Sequence, residues 1–189
     1  MRIVGGASRG LRLAGPGPAD VTGALRPTAD RVRESLFNLL AHGGFGDPAP
    51  PAGRQVLDLF AGTGALGLEA LSRGAETTVF VEHSRGSLAL LERNVARIDH
   101  PGTRVLRRDA TRLGPCPGPS CDLVFLDPPY GKGLGERALT SAQSGGWIAP
   151  NALIVWEEAL SPEIPSGMSL IDTRRYGGTV ISILQADAS

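Results

Sequence analysis

From residue 55 onward, short apolar runs alternate with longer stretches in which apolar side chains recur every three or four positions. The runs suit strands buried on both faces, and the longer stretches suit amphipathic helices. Strands are predicted at 56–60, 77–81, 103–106, 121–126 and 153–156, with helices near 65–73, near 84–98 and beyond Gly135. A closing pair at 169–175 and 180–184, joined through Gly177 and Gly178, reads as a hairpin. Strand and helix in alternation build a parallel sheet covered by helices.

Upstream the pattern is weaker. Residues 1–13 alternate loosely and contain Gly5, Gly6 and Gly10, which predicts a small strand pair or an arm, and 15–23 reads as a loop. Thr28 is placed to N-cap an amphipathic helix whose stripe is Val32, Leu36, Phe37, Leu39 and Leu40, stopped by Gly43 and Gly44. Pro48, Pro50 and Pro51 make 43–53 a loop into the main sheet. The 189 residues suffice for one compact domain, with an N-terminal arm or β-hairpin over 1–27 and the α/β unit over 28–189.

Composition changes this picture only in places. At 41% hydrophobic and 20% charged the chain reads as soluble and globular, and its apolar runs are too short to span a bilayer. Gly5, Gly6, Ser8 and Arg9 follow Ile3 and Val4 too soon for a secretory leader, so the expected compartment is the cytoplasm. Cys116 and Cys121 lack C-x-x-C spacing and clustered histidines, so neither a metal nor a disulfide is expected. Net charge is zero, yet the first forty residues hold Arg2, Arg9, Arg12, Arg26, Arg31 and Arg33 against three acids, an asymmetry suited to a polyanion. Lys132 is the sole lysine; arginine dominance fits bidentate phosphate recognition and equally a GC-rich genome.

Two motifs carry chemistry. In Asp58-Leu59-Phe60-Ala61-Gly62-Thr63-Gly64-Ala65-Leu66-Gly67, glycines fall where a strand turns into a helix, letting a ligand approach the backbone. Glu82 ends the next strand twenty residues after Gly62, a spacing at which a carboxylate accepts from ribose hydroxyls, and Asp109 follows the third strand in the same way. The glycines alone also suit a nicotinamide or flavin dinucleotide. Asp58 favours a methionine ammonium over a pyrophosphate, which it would repel; anchoring the turn is its plainer role.

The second motif, Asp127-Pro128-Pro129-Tyr130, directly follows the apolar run Leu123-Val124-Phe125-Leu126, at the strand edge where open α/β sheets bind ligands. An exocyclic base amine is a poor nucleophile because its lone pair is delocalised into the ring. Asp127 and the Pro128 carbonyl can hold its hydrogens and aim the lone pair, the prolines keep the acceptors rigid, and Tyr130 offers a stacking face. A strand-terminating turn with Tyr130 in the core is the plainer alternative.

Together these motifs resemble class I S-adenosylmethionine-dependent methyltransferases of the amino-methylating branch. More narrowly, Arg2-Ile3-Val4-Gly5-Gly6, Leu25-Arg26-Pro27-Thr28, Asp30-Arg31-Val32-Arg33-Glu34, the segment from Asp58 through Leu71, Gly133-Leu134 and Arg175-Tyr176-Gly177 resemble bacterial small-subunit (16S) ribosomal RNA guanine-N2 methyltransferases. The resemblance implies a Rossmann-like seven-stranded sheet, mostly parallel with its last strand antiparallel. It implies S-adenosyl-L-methionine with its methionine near Asp58 and the Gly62-Thr63-Gly64 turn, ribose at Glu82 and adenine near Asp109 and Ala110. A flipped guanine would meet Asp127, Pro128 and Tyr130. Arg2, Arg9, Arg12, Arg26, Thr28, Arg31 and Lys132 would face ribosomal RNA, within a small-subunit particle and with the enzyme a monomer. Adenine-N6 or cytosine-N4 methylation on DNA or RNA, and a non-catalytic RNA-binding ribosome assembly factor, remain the alternatives.

Overall fold

The computed structural model describes residues 1–15, 17 and 30–188. Among them, strands β1 (Gln55–Leu59), β2 (Thr77–Glu82), β3 (Thr103–Arg107), β4 (Cys121–Leu126), β5 (Ile148–Glu158), β6 (Met168–Tyr176) and β7 (Thr179–Ala186) form one sheet. Its order is β3-β2-β1-β4-β5-β7-β6. The first five strands pair in parallel, and β7 runs antiparallel to both β5 and β6. This is the Rossmann-like sheet with a reversed last strand that the resemblance implied.

Helices α1 (Asp30–His42), α2 (Ala65–Ser72), α3 (Arg85–Ile98) and α4 (Leu134–Ser144) close the sheet on both sides. Because side chains alternate along a strand, each central strand feeds two cores. Val56, Phe80, Leu123, Phe125 and Val155 pack with Leu36, Phe37 and Leu40 of α1, Leu68 of α2 and Leu91 of α3. Leu57, Leu59, Val124, Leu126 and Trp156 pack on the opposite face with Ala138, Leu139 and Ala142 of α4. No helix among the described residues is long and apolar enough to cross a membrane.

Strand β5 is longer than its apolar run of 153–156, because pairing continues through Pro150 and Asn151 where the register with β4 shifts. Asn151 takes a left-handed φ of 59° there, an irregularity that an apolar-run criterion does not see. Thr28, the expected N-cap of α1, lies outside the described residues. Cys116 and Cys121 are free thiols, and burial pushes Cys121 up to about 12.

The N-terminal residues form a tight antiparallel pair, with Ile3 N–H donating to Leu11 O at 3.0 Å and Gly10 N–H to Ile3 O at 2.9 Å. Ile3 and Leu13 are buried in the same core as α1 and α2. Polar groups fasten the pair as well. Glu69 of α2 accepts from Val4 N–H at 2.8 Å and from Arg73 Nε at 2.8 Å, and lies 3.6 Å from Arg33 Nε. Arg33 therefore leaves the basic face to which the sequence assigns it. It is 0% exposed, pairs with Asp30 at 2.8 Å and donates to the Arg2 carbonyl. A guanidinium held this way is a core strut, since a desolvated charge persists only where it is paired.

Candidate active site

The carboxyl ends of β1, β2, β3 and β4 lie side by side along one edge of the sheet, and every cofactor and catalytic residue expected from the sequence follows one of these strands or lies close to its end. After β1 the chain reverses in a turn where Phe60 (φ 58°), Gly62 (φ 56°) and Gly64 (φ 81°) are all left-handed. A non-glycine residue in that region stores strain that the surroundings must hold in place, a feature concentrated at functional turns. A Cβ on Gly67, one turn into α2, would lie 2.4 Å from the Phe80 ring and 2.9 Å from Asp58 Oδ2. The glycine thus lets α2 close down on β1 and β2.

Carboxylates organise this turn from within. Asp58 Oδ2 accepts the Gly67 N–H at 2.9 Å, while Glu82 accepts from Gly62 N–H at 2.9 Å and from the His83 and Ser84 amides, each at 2.7 Å. Asp58 is 2% exposed, and its burial, opposed by the Gly67 N–H and reinforced by the charge of Glu82, pushes its carboxyl up to about 7. Its role in the structure is the turn anchor. Asp109 caps the 3-10 turn Ala110–Arg112, its carboxylate accepting the Thr111 amide and hydroxyl, both at 2.8 Å. Partial desolvation raises that carboxyl, but the Thr111 bonds with nearby His83 and Arg112 outweigh it and hold Asp109 below the usual carboxylate range. Ala110 is buried beside it.

The chemistry motif lies next to this turn. Leu59 of β1 pairs with Leu126 of β4, and the Asp127 N–H points at Leu59 O at 3.5 Å. Asp127 and Tyr130 are half-buried, Pro128 is buried and Pro129 is exposed. The Tyr130 hydroxyl donates to Glu157 Oε1 at 2.8 Å and accepts from Thr179, so Tyr130 sits at the edge and outside the core. Desolvation, with the charges of Glu157 and Asp127, raises the Tyr130 phenol well above its ordinary value, against the pull of the Thr179 bond.

The basic residues divide. Arg2, Arg9 and Arg31 line one cavity of ≈ 410 Å³ with Asp30 and Glu34 at the start of α1, and Arg2 lies 3.9 Å from Asp30. Arg12 is exposed on the strand pair, its carbonyl accepting from Arg97 at 2.7 Å, and Lys132 is exposed beyond the Asp127–Tyr130 loop. Neither joins that cavity, and Arg26, like Thr28, lies outside the described residues. Among the described residues no group of three His, Cys, Asp or Glu side chains is placed to hold a metal.

Sequence reasoning missed several residues that shape the edge. Asn94 of α3, fully buried, donates to Thr63 O at 2.9 Å and Ala14 O at 3.0 Å and accepts from Ala14 N–H at 2.6 Å, tying the N-terminal segment to the glycine turn. The Thr63 hydroxyl faces Met1 Sδ at 3.7 Å. Glu157 and Glu158 end β5 just as Asp127 follows β4, and that shared placement after an apolar run was the available signal.

A glycine turn after β1, an acid ending β2 and Asp-Pro-Pro-Tyr after β4, on a sheet with a reversed last strand, define a class I methyltransferase. The chain belongs to the family whose model is described as "Conserved hypothetical protein 95", which matches residues 1–185. It is 37% identical over 191 residues to "Ribosomal RNA small subunit methyltransferase D" of Escherichia coli, covering 100% of this chain and 91% of that protein. It is 34% identical to "Putative rRNA methyltransferase YlbH" of Bacillus subtilis, covering 97% of each. Among solved structures, the "Putative methyltransferase yhhF from Escherichia coli" superposes with a TM-score of 0.81 at 36% identity, covering 100% of this chain and 99% of that one. The "putative methylase HI0767 from Haemophilus influenzae" gives a TM-score of 0.75 at 30% identity, covering 98% of each.

Proposed function

We propose that this chain transfers a methyl group from S-adenosylmethionine to the exocyclic N2 amine of a guanine in small-subunit ribosomal RNA. The observation that carries the reading is the direct pairing of β1 with β4, which sets the glycine turn and the Asp127–Tyr130 acceptors side by side. The names of the Escherichia coli and Bacillus subtilis relatives support ribosomal RNA as the substrate class.

The residues present suit the cofactor. It carries a sulfonium, an ammonium and a ribose diol but no phosphate, and this edge offers carboxylates and glycine amides. Glu82 already accepts three amides, so of roughly four acceptor positions on a carboxylate one is left for a ribose hydroxyl. Asp58 with Gly62, Thr63 and Gly64 would take the methionine end, and Asp109 with Ala110 the adenine. When bound, S-adenosylmethionine supplies an electrophilic methyl group.

The protein's own task is orientation. Asp127 and the Pro128 carbonyl accept the amine hydrogens and aim the nitrogen lone pair along the line of displacement. The amine hydrogens become more acidic as the N–C bond forms, so the Asp127 carboxylate binds the transition state more strongly than the ground state. Tyr130 supplies a stacking face for the unstacked base. Arg2, Arg9, Arg12, Arg31 and Lys132, together with Arg26 and Thr28, would contact phosphates, which position RNA without reading its sequence. The enzyme acts as a monomer on a small-subunit particle in this reading.

Asp127→Ala tests it. Calorimetry should give an unchanged affinity for S-adenosylhomocysteine, while single-turnover methyl transfer falls by roughly 10²–10³-fold, as for other transition-state hydrogen-bond partners. Equal losses in both would contradict the separation of cofactor and base sites, and binding of NAD in preference to S-adenosylhomocysteine would move the chain to hydride chemistry.

A further inference from the structure

We propose that Glu157 and Glu158, the last residues of β5, are positioning residues that clamp the Tyr130–Gly131 step and fix the slot in which the target base stacks. This rests on the reading of Asp127–Tyr130 as the base site. Consecutive strand residues point to opposite faces, yet both glutamates reach the same dipeptide. Glu157 takes the Tyr130 hydroxyl at 2.8 Å, and Glu158 Oε1 accepts the Gly131 N–H at 3.2 Å and the Ala159 N–H at 3.0 Å. The loop is therefore held on both sides of the strand end.

The placement of Glu157 argues against a role in strand termination alone. Its residue is only 6% exposed, and a carboxylate so removed from water is retained where a partner depends on it. A tyrosine ring has two side-chain torsions, and fixing its hydroxyl between Glu157 and Thr179 restrains both. The second tether comes from β7, whose start pairs with the end of β5: Glu158 lies opposite Val180 and Glu157 opposite Ile181. The β6–β7 turn at Gly177 and Gly178 thus abuts the base site, and a preset ring spares the entropy of ordering a stacking platform when the base arrives.

The 189-residue chain holds two tyrosines, so in a Tyr176→Phe background Tyr130 is the sole phenol. Its Cζ resonance, followed by carbon NMR of tyrosine-labelled protein at neutral pH, reads the Glu157 contact without any cofactor or RNA. Asp127 and Glu157 are the charged groups acting on the phenol, and Thr179 is its other partner. Adding Glu157→Gln should shift that resonance, because the charged acceptor of the phenol hydrogen bond is removed. In the Tyr176-containing chain, Glu157→Gln and the milder Thr179→Val should each lower kcat/KM for RNA, the former by roughly ten-fold or more, with S-adenosylhomocysteine affinity unchanged.

An unmoved resonance, or a moved resonance with unaltered kcat/KM, overturns the clamp. If Glu157→Gln does not fold, Glu158→Ala, which removes the acceptor of the Gly131 N–H, decides: full kcat/KM refutes the proposal and reduced kcat/KM with normal cofactor affinity supports it. An unsubstituted chain that transfers no methyl group defeats the underlying functional reading instead, an outcome distinct from an active enzyme indifferent to the variants.

Discussion

Asp58 offers the most quantitative handle on the site. Its carboxylate is almost wholly removed from water, and burial lifts its pKa from 3.8 to about 7. Between those values the folded chain keeps a proton that the unfolded chain has lost. The stability tied to that proton is fully present below pH 4 and is lost as pH rises toward 7. Each unit is worth about 1.36 kcal/mol, so the whole shift corresponds to roughly 4 kcal/mol, and the interval from pH 5 to pH 7 to about 2.5 kcal/mol. Asp58→Asn keeps an oxygen for the Gly67 N–H and removes the titration. Urea denaturation of both proteins from pH 5 to pH 8 isolates Asp58 and its coupling to Glu82, because titrating groups that do not interact with it cancel in the difference. The stability of Asp58→Asn relative to the native sequence should grow with pH and level off above about 7. A difference constant across the range would mean that Asp58 is ionised throughout and that water reaches it. A cofactor ammonium seated against Asp58 would favour the ionised form, so S-adenosylhomocysteine binding at pH 6 should also release close to one proton, a release absent in Asp58→Asn.

Three further outcomes follow from packing and charge. Glu69→Ala removes the acceptor of Val4 and Arg73 and the buried ion-pair partner of Arg33, and should cost about 3–5 kcal/mol by urea denaturation, the range for a broken buried pair. In a chain of this size that is a fall in Tm of about 10 °C. Gly67→Ala forces a methyl group against Phe80, Thr78 and Asp58, and should lose about 1–3 kcal/mol together with cofactor affinity. Arg9→Glu or Arg31→Glu should weaken RNA binding while leaving S-adenosylhomocysteine binding intact, and the slope of log K against log salt should fall by about one for each phosphate left without its arginine.

The legible part of the molecule was the part written in local pattern. Apolar runs located the strands, and the residues that cap those runs, Asp58, Glu82, Asp109 and Asp127, fall on the edge that strand topology brings together. The illegible part consists of contacts between segments far apart in sequence. Arg33 looks like any basic residue of an amphipathic helix, and only the fold reveals that residue 69 lies beneath it. Glu69 itself belongs to a helix buried on all sides, where no polar face exists to assign it to. Asn94 follows Ser87, Leu88 and Leu91 along the inward stripe of α3, a hint of burial that says nothing of Ala14 or Thr63. Glu157 and Glu158 repeat the placement of Asp127 without a glycine or proline signature to mark it.

The claim that this edge methylates a guanine amine is tested most directly by supplying labelled S-adenosylmethionine to small ribosomal subunits and naked ribosomal RNA from a strain lacking the enzyme, then identifying the labelled nucleoside by mass spectrometry. N2-methylguanosine is the expected product, and Asp127→Ala should yield none. Label in N6-methyladenosine or N4-methylcytidine would keep the chemistry and overturn the base. No transfer to either substrate, from a chain that still binds S-adenosylhomocysteine, would contradict the catalytic account and leave an RNA-binding assembly role in its place.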